Sequence, residues 1–451
     1  MLGASFGNRL LGSAPPIMIG AGIDIVTKGK SSLVGKTLVK AGITKPTGQL
    51  FALGGLGLVV WAIDAYLDYT YRRSAAELAD VVRDDLRNEL YEHLQQLDVA
   101  QLESRDVSEW IGLLDGELGR IHGFIKDGTD PIVSIVANGL AVTTTFLVLS
   151  PTFALAQLLL VPPMVVASQT LLGPLKERWV KANQDGAELS AVVHGNVSAL
   201  TTIKSFATEG NEAVRVRQAG AVHRGSLKDA NELSARYVPA LTGIAGASFV
   251  ASLVYAGRLV QRGELTPGAF NIVGNSQLRL LATIGYFGST VQNWQRTTVS
   301  LKRVFDVLDM KPTITSSPSA VPITGLHREI RLDQVDFRYE SDRQLFKRLT
   351  MRFGAGTTVG LVGLSGAGKS TILRLLLRLY DVEAGAVRFD GVDVRDLRLD
   401  DLRRAIGMVS QDVAVFAGTV ADNIAYARPD APWSEIVRAA EIAEADRFIG
   451  R

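Results

Sequence analysis

One stretch in the C-terminal third of the chain carries the residue types that bind a nucleoside triphosphate. Gly363-Leu364-Ser365-Gly366-Ala367-Gly368-Lys369-Ser370-Thr371 fits the phosphate-loop pattern G-x-x-x-x-G-K-[ST] at every fixed position. Glycines let consecutive backbone N–H groups converge on phosphate oxygens without Cβ clashes. Lys369 adds a positive charge for the β- and γ-phosphates, and the Ser370 hydroxyl can ligate Mg²⁺. The stretch therefore predicts binding of ATP with Mg²⁺.

The segments that flank this loop must position it. Residues 357–362 are largely apolar and predict a buried strand, while residues 369–380 are rich in leucine and predict a buried helix. A strand, a loop and a helix in this order aim the helix N-terminus at the phosphates. The alternative is a chance glycine-rich turn, and the flanking segments argue against it.

Length and composition bound the rest of the chain. Its 451 residues predict two or three domains, and the apolar runs lie before about residue 300. The net charge of +2 argues against a nucleic-acid partner. Zero cysteines exclude disulfides, iron–sulfur ligation and thiolate zinc sites.

Several apolar runs are long enough to cross a membrane, which takes about twenty helical residues. Residues 269–291 have the length but include polar side chains, and residues 10–26 form a shorter, interrupted run. The pattern predicts an all-α domain of six membrane-spanning helices over residues 1–310. The other four spans are residues 50–67, 131–149, 153–172 and 239–260.

The spacing of the spans predicts how they are connected. Short connections at Ser150 and Gly263 alternate with two long charged stretches. In the first stretch, leucine and valine recur at helical spacing from Leu78, without a convincing break after the second span. The long stretches are therefore predicted to be helical extensions into one aqueous compartment.

Cytosolic ATP makes that compartment the cytoplasm and predicts a multi-pass protein of the plasma (inner) membrane. The scheme has one conflict, because it places a lysine-rich loop outside, against the positive-inside tendency. We keep the scheme because the ATP argument is stronger. The lysines of this loop are Lys28, Lys30, Lys36, Lys40 and Lys45.

Residues 311–327 are rich in Pro, Ser and Thr and predict a linker. Alternation of apolar residues predicts a strand over residues 329–339. Asp390-Gly391 lies between two apolar runs and predicts a hairpin turn. Residues 328–451 are thus predicted to be part of an α/β P-loop NTPase domain.

Arg279 is an unusual residue for a membrane span. An arginine in mid-span costs about 2.5–3.5 kcal/mol on the insertion scale, so it should face a water-filled cavity or a polar partner. With Asn271, Asn275 and Gln277 it could contact a polar or anionic substrate. The alternative is a structural pairing within the bundle, and the sequence does not separate the two.

The order of spans, long loops, linker and phosphate loop resembles that of ABC exporters of the type IV fold, and the resemblance covers nearly the whole chain. Several motifs carry it. They are Val335-Asp336-Phe337-Arg338-Tyr339, Tyr380-Asp381, Gly385, Asp390-Gly391, Val409-Ser410-Gln411-Asp412 with Phe416, Asn423-Ile424, and Ile203-Lys204-Ser205-Phe206-Ala207-Thr208-Glu209.

The resemblance implies roles for individual residues. Tyr339 would stack on adenine, and Gln411 would offer its neutral carbonyl oxygen to Mg²⁺ or to the attacking water. Coupling helices would lie near residues 106–114 and 198–205, where closure over ATP would move the spans. The chain would be a half-transporter that pairs with a second half-transporter in a lipid membrane and exports a small hydrophobic or amphipathic substrate.

The family's remaining catalytic motifs do not occur in this sequence. We find no serine-glycine-glycine signature, no apolar strand that ends in Asp-Glu, and no histidine after the phosphate loop. We therefore expect a C-terminally truncated chain that binds ATP but does not turn it over. The competing hypotheses are a degenerate ATP-binding regulator and, disfavoured by the long apolar runs, a soluble NTPase with apolar core helices.

Overall fold

The computed structural model describes residues 1–449 except 324, 340–343 and 412, and describes the backbone alone for helical residues 30, 156–172, 238, 240, 241, 245 and 280–288. The chain divides into two compact units. The first comprises Met1–His93 and Val107–Asp309, and the second comprises Leu94–Asp106 and Met310–Arg451. The later boundary lies between Asp309 and Met310, and the assignment of Leu94–Asp106 to the second unit was not predicted.

The first unit is helical throughout its described residues. Two π-helical turns, Gly112–Glu117 and Phe124–Gly128, interrupt the helix that leads to the third predicted span. The α-helices of this unit are α1 (Leu2–Leu11), α2 (Ala14–Lys28), α3 (Leu33–Lys40), α4 (Pro46–Gln96, whose last turn enters the second unit), α6 (Val107–Ile111), α7 (Leu118–Gly123), α8 (Thr129–Leu149), α9 (Pro151–Ser198), α10 (Leu200–Ser205), α11 (Glu209–Gln261) and α12 (Pro267–Leu308). Helix α5 (Val99–Glu103) lies in the second unit.

Among the described residues, four helical segments are long and apolar enough to cross a membrane. They are Leu2–Lys28, Pro46–Gln96, Val107–Leu149 and Glu209–Gln261. The predicted first span, residues 10–26, is thus part of a longer helical segment that is interrupted between α1 and α2. The predicted spans 153–172 and 269–291 fall on α9 and α12, in part outside the residues whose side chains are described.

Two predicted features of the connections are present, namely the helical continuation after the second span and the short break at Ser150. Helix α4 runs for 51 residues without interruption, since no proline or glycine pair breaks its charged half. Ser150 alone separates α8 from α9, and its side chain caps α9 by accepting a hydrogen bond from the N–H of Phe153. Phe146 and Phe153 pack edge to face at 5.0 Å in a buried cluster where α8, α9, α11 and α12 meet.

Helices α2 and α12 cross at two glycines. A Cβ on Gly20 would lie 2.6 Å from the carbonyl oxygen of Gly268 and 2.5 Å from Cγ1 of Ile272. In lipid the hydrophobic effect does not drive helices together. Helices associate there by packing closely at small residues such as these glycines.

We expect Gly20→Ala to destabilise the helical unit by about 1–3 kcal/mol, because the added methyl group must push the two helices apart. Gly22→Ala is the matched control, since its Cβ would lie at an ordinary 3.7 Å from Leu53. Thermal unfolding in detergent measures both variants. Equal midpoints for the two would contradict the close crossing.

The second unit contains a four-stranded antiparallel sheet of order β2-β1-β3-β4. Helix α13 packs on it through Ile372 and Leu375, which are buried with Leu332, Phe337 and Val387 of the sheet. The elements of this unit after α5 are β1 (Glu329–Arg338), β2 (Gln344–Gly354), α13 (Lys369–Leu376), β3 (Ala384–Phe389), β4 (Val392–Asp393), α14 (Leu399–Arg404), α15 (Val420–Ile424), α16 (Trp433–Ile442) and α17 (Asp446–Ile449).

Two local predictions for this unit are confirmed and two are wrong. The strand over residues 329–339 is β1, and Asp390-Gly391 joins β3 to β4 with positive φ at both residues, as a tight hairpin requires. However, residues 357–362 form no strand, and Val362 is 99% exposed. A strand needs at least one partner for its backbone hydrogen bonds, and none of the four described strands pairs with this segment. The predicted helix 369–380 ends at Leu376, before Arg378 with φ +48°.

Candidate nucleotide-binding site

The phosphate loop is folded as a cradle with a lysine across it. Gly366 and Gly368 adopt φ values of +80° and +90°, which only glycine adopts without strain. The Lys369 Nζ atom donates to the carbonyl oxygens of Gly363 and Leu364 at 2.9 and 2.8 Å. The ammonium group is therefore held by two neutral acceptors that triphosphate oxygens can replace.

Gly368 is required for a second reason. A Cβ at this position would lie 2.6 Å from the ring of Phe346, which is buried on β2. The loop thus rests directly on the aromatic core of the sheet, and this contact fixes where α13 begins.

The two hydroxyl side chains that follow Lys369 differ in exposure. Ser370 is exposed on the first turn of α13, where its oxygen is accessible to a cation. Thr371 is buried, and its hydroxyl forms a 2.9 Å hydrogen bond with the hydroxyl of Tyr339. The residue types at the loop therefore fit Mg²⁺-ATP, with a hard oxygen donor beside the cradle.

Tyr339 lies just beyond β1 and is brought to the phosphate-loop helix by its bond to Thr371. Its ring contacts Phe337 edge to face at 5.0 Å and Tyr380 at 5.2 Å. These contacts fix the orientation of the Tyr339 ring next to the loop. The stacking of Tyr339 on adenine stays a prediction.

Gln411 is not joined to the loop in the same way. It is exposed, and no hydrogen bond links it to the loop among the residues that the structure describes. Met408 and Val409 before it are exposed as well. The role of Gln411 stays a prediction.

A carboxylate that the sequence analysis missed holds the segment Leu94–Asp106 in the second unit. Asp98 is 7% exposed and precedes α5. It accepts hydrogen bonds from the N–H and hydroxyl of Thr313 at 2.7 and 2.6 Å, and from the N–H of Ile314 at 3.1 Å. The linker is thereby fastened to the start of α5. The spacing of Asp98 and Gln101, a capping-box pattern, could have predicted a helix start here.

The other end of α5 contacts the phosphate-loop helix. One oxygen of Glu103 accepts hydrogen bonds from Arg374 at 3.1 Å and from the Tyr380 hydroxyl at 2.5 Å. Burial, together with the bond to Glu103, raises the pKa of the Tyr380 hydroxyl above its ordinary value, and the un-ionised hydroxyl donates to Glu103. Tyr380 thus connects Glu103 to Tyr339 through a single aromatic contact.

The segments predicted as coupling helices are not the ones that make these contacts. Residues 106–114 lie, apart from Asp106, in the first unit, whereas Leu94–Asp106 is the segment that packs with the nucleotide-binding residues. The second predicted segment contains α10, which is largely exposed. Phe206, the residue after α10, is 76% exposed.

The four predicted cavity residues lie on one helix, α12, but differ in their contacts. The Arg279 guanidinium donates to Oδ1 of Asn138 at 3.0 Å, to Oγ of Ser13 at 3.3 Å and to the carbonyl oxygen of Arg9 at 2.7 Å. The Asn275 amide donates to the carbonyl oxygen and the side-chain oxygen of Asn271, one turn earlier in the helix. Gln277 is buried, and its Oε1 atom has no hydrogen-bond partner among the described residues.

The sequence matches two models of known protein families. A family described as the ABC transporter transmembrane region matches residues 2–281, more than half of the chain, and a second family, described as ABC transporter, matches residues 346–450. The chain belongs to the ABC transporter family. The helical unit is its transmembrane domain, and the sheet-containing unit is its nucleotide-binding domain.

Relatives of this transporter have various names. It is 30% identical over 387 residues to a multidrug efflux ATP-binding/permease protein of Mycobacterium bovis, covering 85% of this chain and 32% of that protein. It is 27% identical over 371 residues to an ATP-dependent lipid A-core flippase of Syntrophus aciditrophicus, covering 81% of this chain and 61% of that one. The chain thus spans less than two thirds of the length of either relative.

A solved structure shares the fold of this transporter. The structure of a bacterial Atm1-family ABC exporter with ATP bound superposes with a TM-score of 0.74 at 22% identity, covering 98% of this chain and 78% of the other. The predicted order of a helical transmembrane domain followed by a P-loop NTPase domain is therefore confirmed.

Proposed function

We propose that this chain is a half-transporter that uses ATP to export a hydrophobic or amphipathic solute. The observation that carries the proposal is the continuity of α4, which begins in the transmembrane domain and ends in the segment bound to the phosphate-loop helix. Multidrug and lipid relatives support the substrate class. The nucleotide-binding domain would be cytoplasmic and the membrane the plasma (inner) membrane.

ATP would bind with its phosphates in the cradle of residues 363–371. Lys369 would exchange its two carbonyl acceptors for β- and γ-phosphate oxygens, and Ser370 would ligate Mg²⁺, with Gln411 as a further oxygen donor. Tyr339 would stack on adenine. Mg²⁺ would neutralise phosphate charge when bound, and Lys369 with the loop N–H groups would orient the γ-phosphate.

The contacts of α5 give a route from the nucleotide to the membrane helices. A shift of Tyr339 on nucleotide binding would displace Tyr380, which would alter the contact to Glu103. Asp98 holds the other end of α5 to the linker, so the movement would pass to α4. Rigid helices that transmit a small displacement are a common route of switching.

Two such chains would act together as a homo- or heterodimer. Composite sites between two nucleotide-binding domains would supply the groups that the described loop lacks, since the loop and Gln411 alone offer no general base.

Inverted membrane vesicles that contain the transporter test the proposal. Uptake of a fluorescent amphipathic dye should require ATP and Mg²⁺, and should vanish in Lys369→Ala while Lys347→Ala, an exposed lysine on β2, retains it. Uptake that is indifferent to ATP, or to Lys369, would reject export by this mechanism.

The substrate cavity remains part of this proposal, and Arg279 tests it. A structural role predicts that Arg279→Ala lowers the thermal unfolding midpoint more than Asn138→Ala, since Arg279→Ala removes three hydrogen bonds and Asn138→Ala breaks one of them. A substrate role predicts a further loss for Arg279→Ala only, as a higher KM for anionic dyes and an unchanged KM for cationic ones. If Arg279→Ala leaves transport of every dye unchanged, Arg279 does not line the cavity.

A further inference from the structure

A lysine-rich segment joins the first two candidate membrane spans. Leu2–Lys28 precedes it, and Pro46–Gln96 follows it. The segment contains Lys28, Lys30, Lys36, Lys40 and Lys45, and the sequence has no acidic residue between Asp24 and Asp64. Because both neighbours are long and apolar enough to cross the bilayer, so short a segment between them would lie at the membrane surface.

The segment is folded and anchored. Ser32 caps α3 by accepting a hydrogen bond from the N–H of Gly35 at 3.0 Å, and both residues are buried. Gln49, which is fully buried, donates from its amide to the carbonyl oxygens of Gly35 at 3.3 Å and Ile43 at 3.0 Å. A buried glutamine on α4 therefore fixes α3 in place. We call residues 28–45 the lysine platform.

The platform presents its charges outward. Lys28, Lys36, Lys40 and Lys45 are exposed, and within the described part of the chain none of these four forms an ion pair. Leu33 at the start of α3 is 84% exposed. Exposed lysines beside an exposed apolar residue are typical of a helix that lies in the membrane interface.

We propose that the lysine platform binds the phosphate groups of anionic phospholipids in the leaflet that surrounds it. The chemistry is complementary, because lysine is a compact positive charge with three donors, and anionic headgroups carry negative phosphate oxygens at the membrane surface. Each lysine near an anionic surface contributes about fivefold in affinity. The proposal also gives these lysines a role on the side of the membrane where the positive-inside tendency disfavours them.

A single reporter on the platform tests this, because the chain has no cysteine of its own. Thr37, exposed on α3, is changed to cysteine and labelled with an environment-sensitive dye, and the intact protein in neutral detergent is titrated with phosphatidylglycerol or phosphatidylcholine. We expect a saturable emission change with phosphatidylglycerol only, and its loss at high salt, which screens exposed charges.

The variants separate the platform from general charge. The triple change Lys36→Gln, Lys40→Gln and Lys45→Gln should raise the phosphatidylglycerol midpoint about a hundredfold, because each lysine contributes about fivefold. The matched control is Lys204→Gln, Lys302→Gln and Lys347→Gln, which removes three exposed lysines elsewhere and should leave the midpoint unchanged. An equal response to both lipids, no response to either, or an equal shift in both triple variants would overturn the proposal. None of these outcomes depends on ATP or transport.

Discussion

Lys369→Ala is expected to weaken ATP binding about a hundredfold, which corresponds to about 3 kcal/mol for loss of a charge-assisted hydrogen bond to phosphate. The reason is geometric. The Lys369 Nζ atom lies within 3 Å of the carbonyl oxygens of Gly363 and Leu364, so it already sits across the cradle and needs no search to meet the phosphates. Titration with a fluorescent ATP analogue measures the change.

Lys347→Ala is the matched control for this experiment. It removes the same charge from an exposed position on β2, in the same domain, and should leave the affinity unchanged. An equal loss in both variants would mean that general charge holds the nucleotide. An unchanged affinity in Lys369→Ala would mean that the phosphates bind elsewhere.

Asp98→Ala is expected to release the linker from α5. The carboxylate is buried and accepts three hydrogen bonds from Thr313 and Ile314, and its removal leaves these donors without a partner. Hydrogen bonds to a charged group contribute about 1.5–3 kcal/mol, so we expect local stability to fall by about 3 kcal/mol. Amide hydrogen exchange at Thr313 and Ile314 should then be accelerated by about a hundredfold.

Two further variants check the cause of that change. Asp98→Asn keeps one acceptor oxygen and should give an intermediate exchange rate at both amides. Asp106→Ala removes an exposed carboxylate from the same segment and should change neither amide. Exchange in Asp98→Ala that equals the unmodified protein would show that these hydrogen bonds do not hold the linker.

Features that depend on local chemistry could be predicted from the sequence. The phosphate loop is set by glycines at positions of positive φ, and the hairpin at Asp390-Gly391 by residues that tolerate a tight turn. The continuity of α4 followed from the helical spacing of its apolar residues. Each of these depends on residues close together in the chain.

Features that depend on distant partners could not be predicted. The strand assigned to residues 357–362 required neighbouring strands, and its apolar pattern alone cannot supply them. The contacts of Asp98 and Glu103 join residues more than 200 positions apart, so nothing near these carboxylates marks them as attachment points. The coupling role predicted for residues 106–114 stays a prediction, while the segment that packs in the second unit is Leu94–Asp106.

The proposed mechanism depends on one step, in which ATP bound in the phosphate loop changes the conformation of the segment Leu94–Asp106. Because the chain contains no cysteine, Asp106→Cys carries a single environment-sensitive dye at an exposed position of that segment. We predict that saturating Mg²⁺-ATP changes the dye emission of the intact transporter, and that Lys369→Ala abolishes the change. Identical emission with and without ATP, in protein shown to bind ATP, would contradict the account.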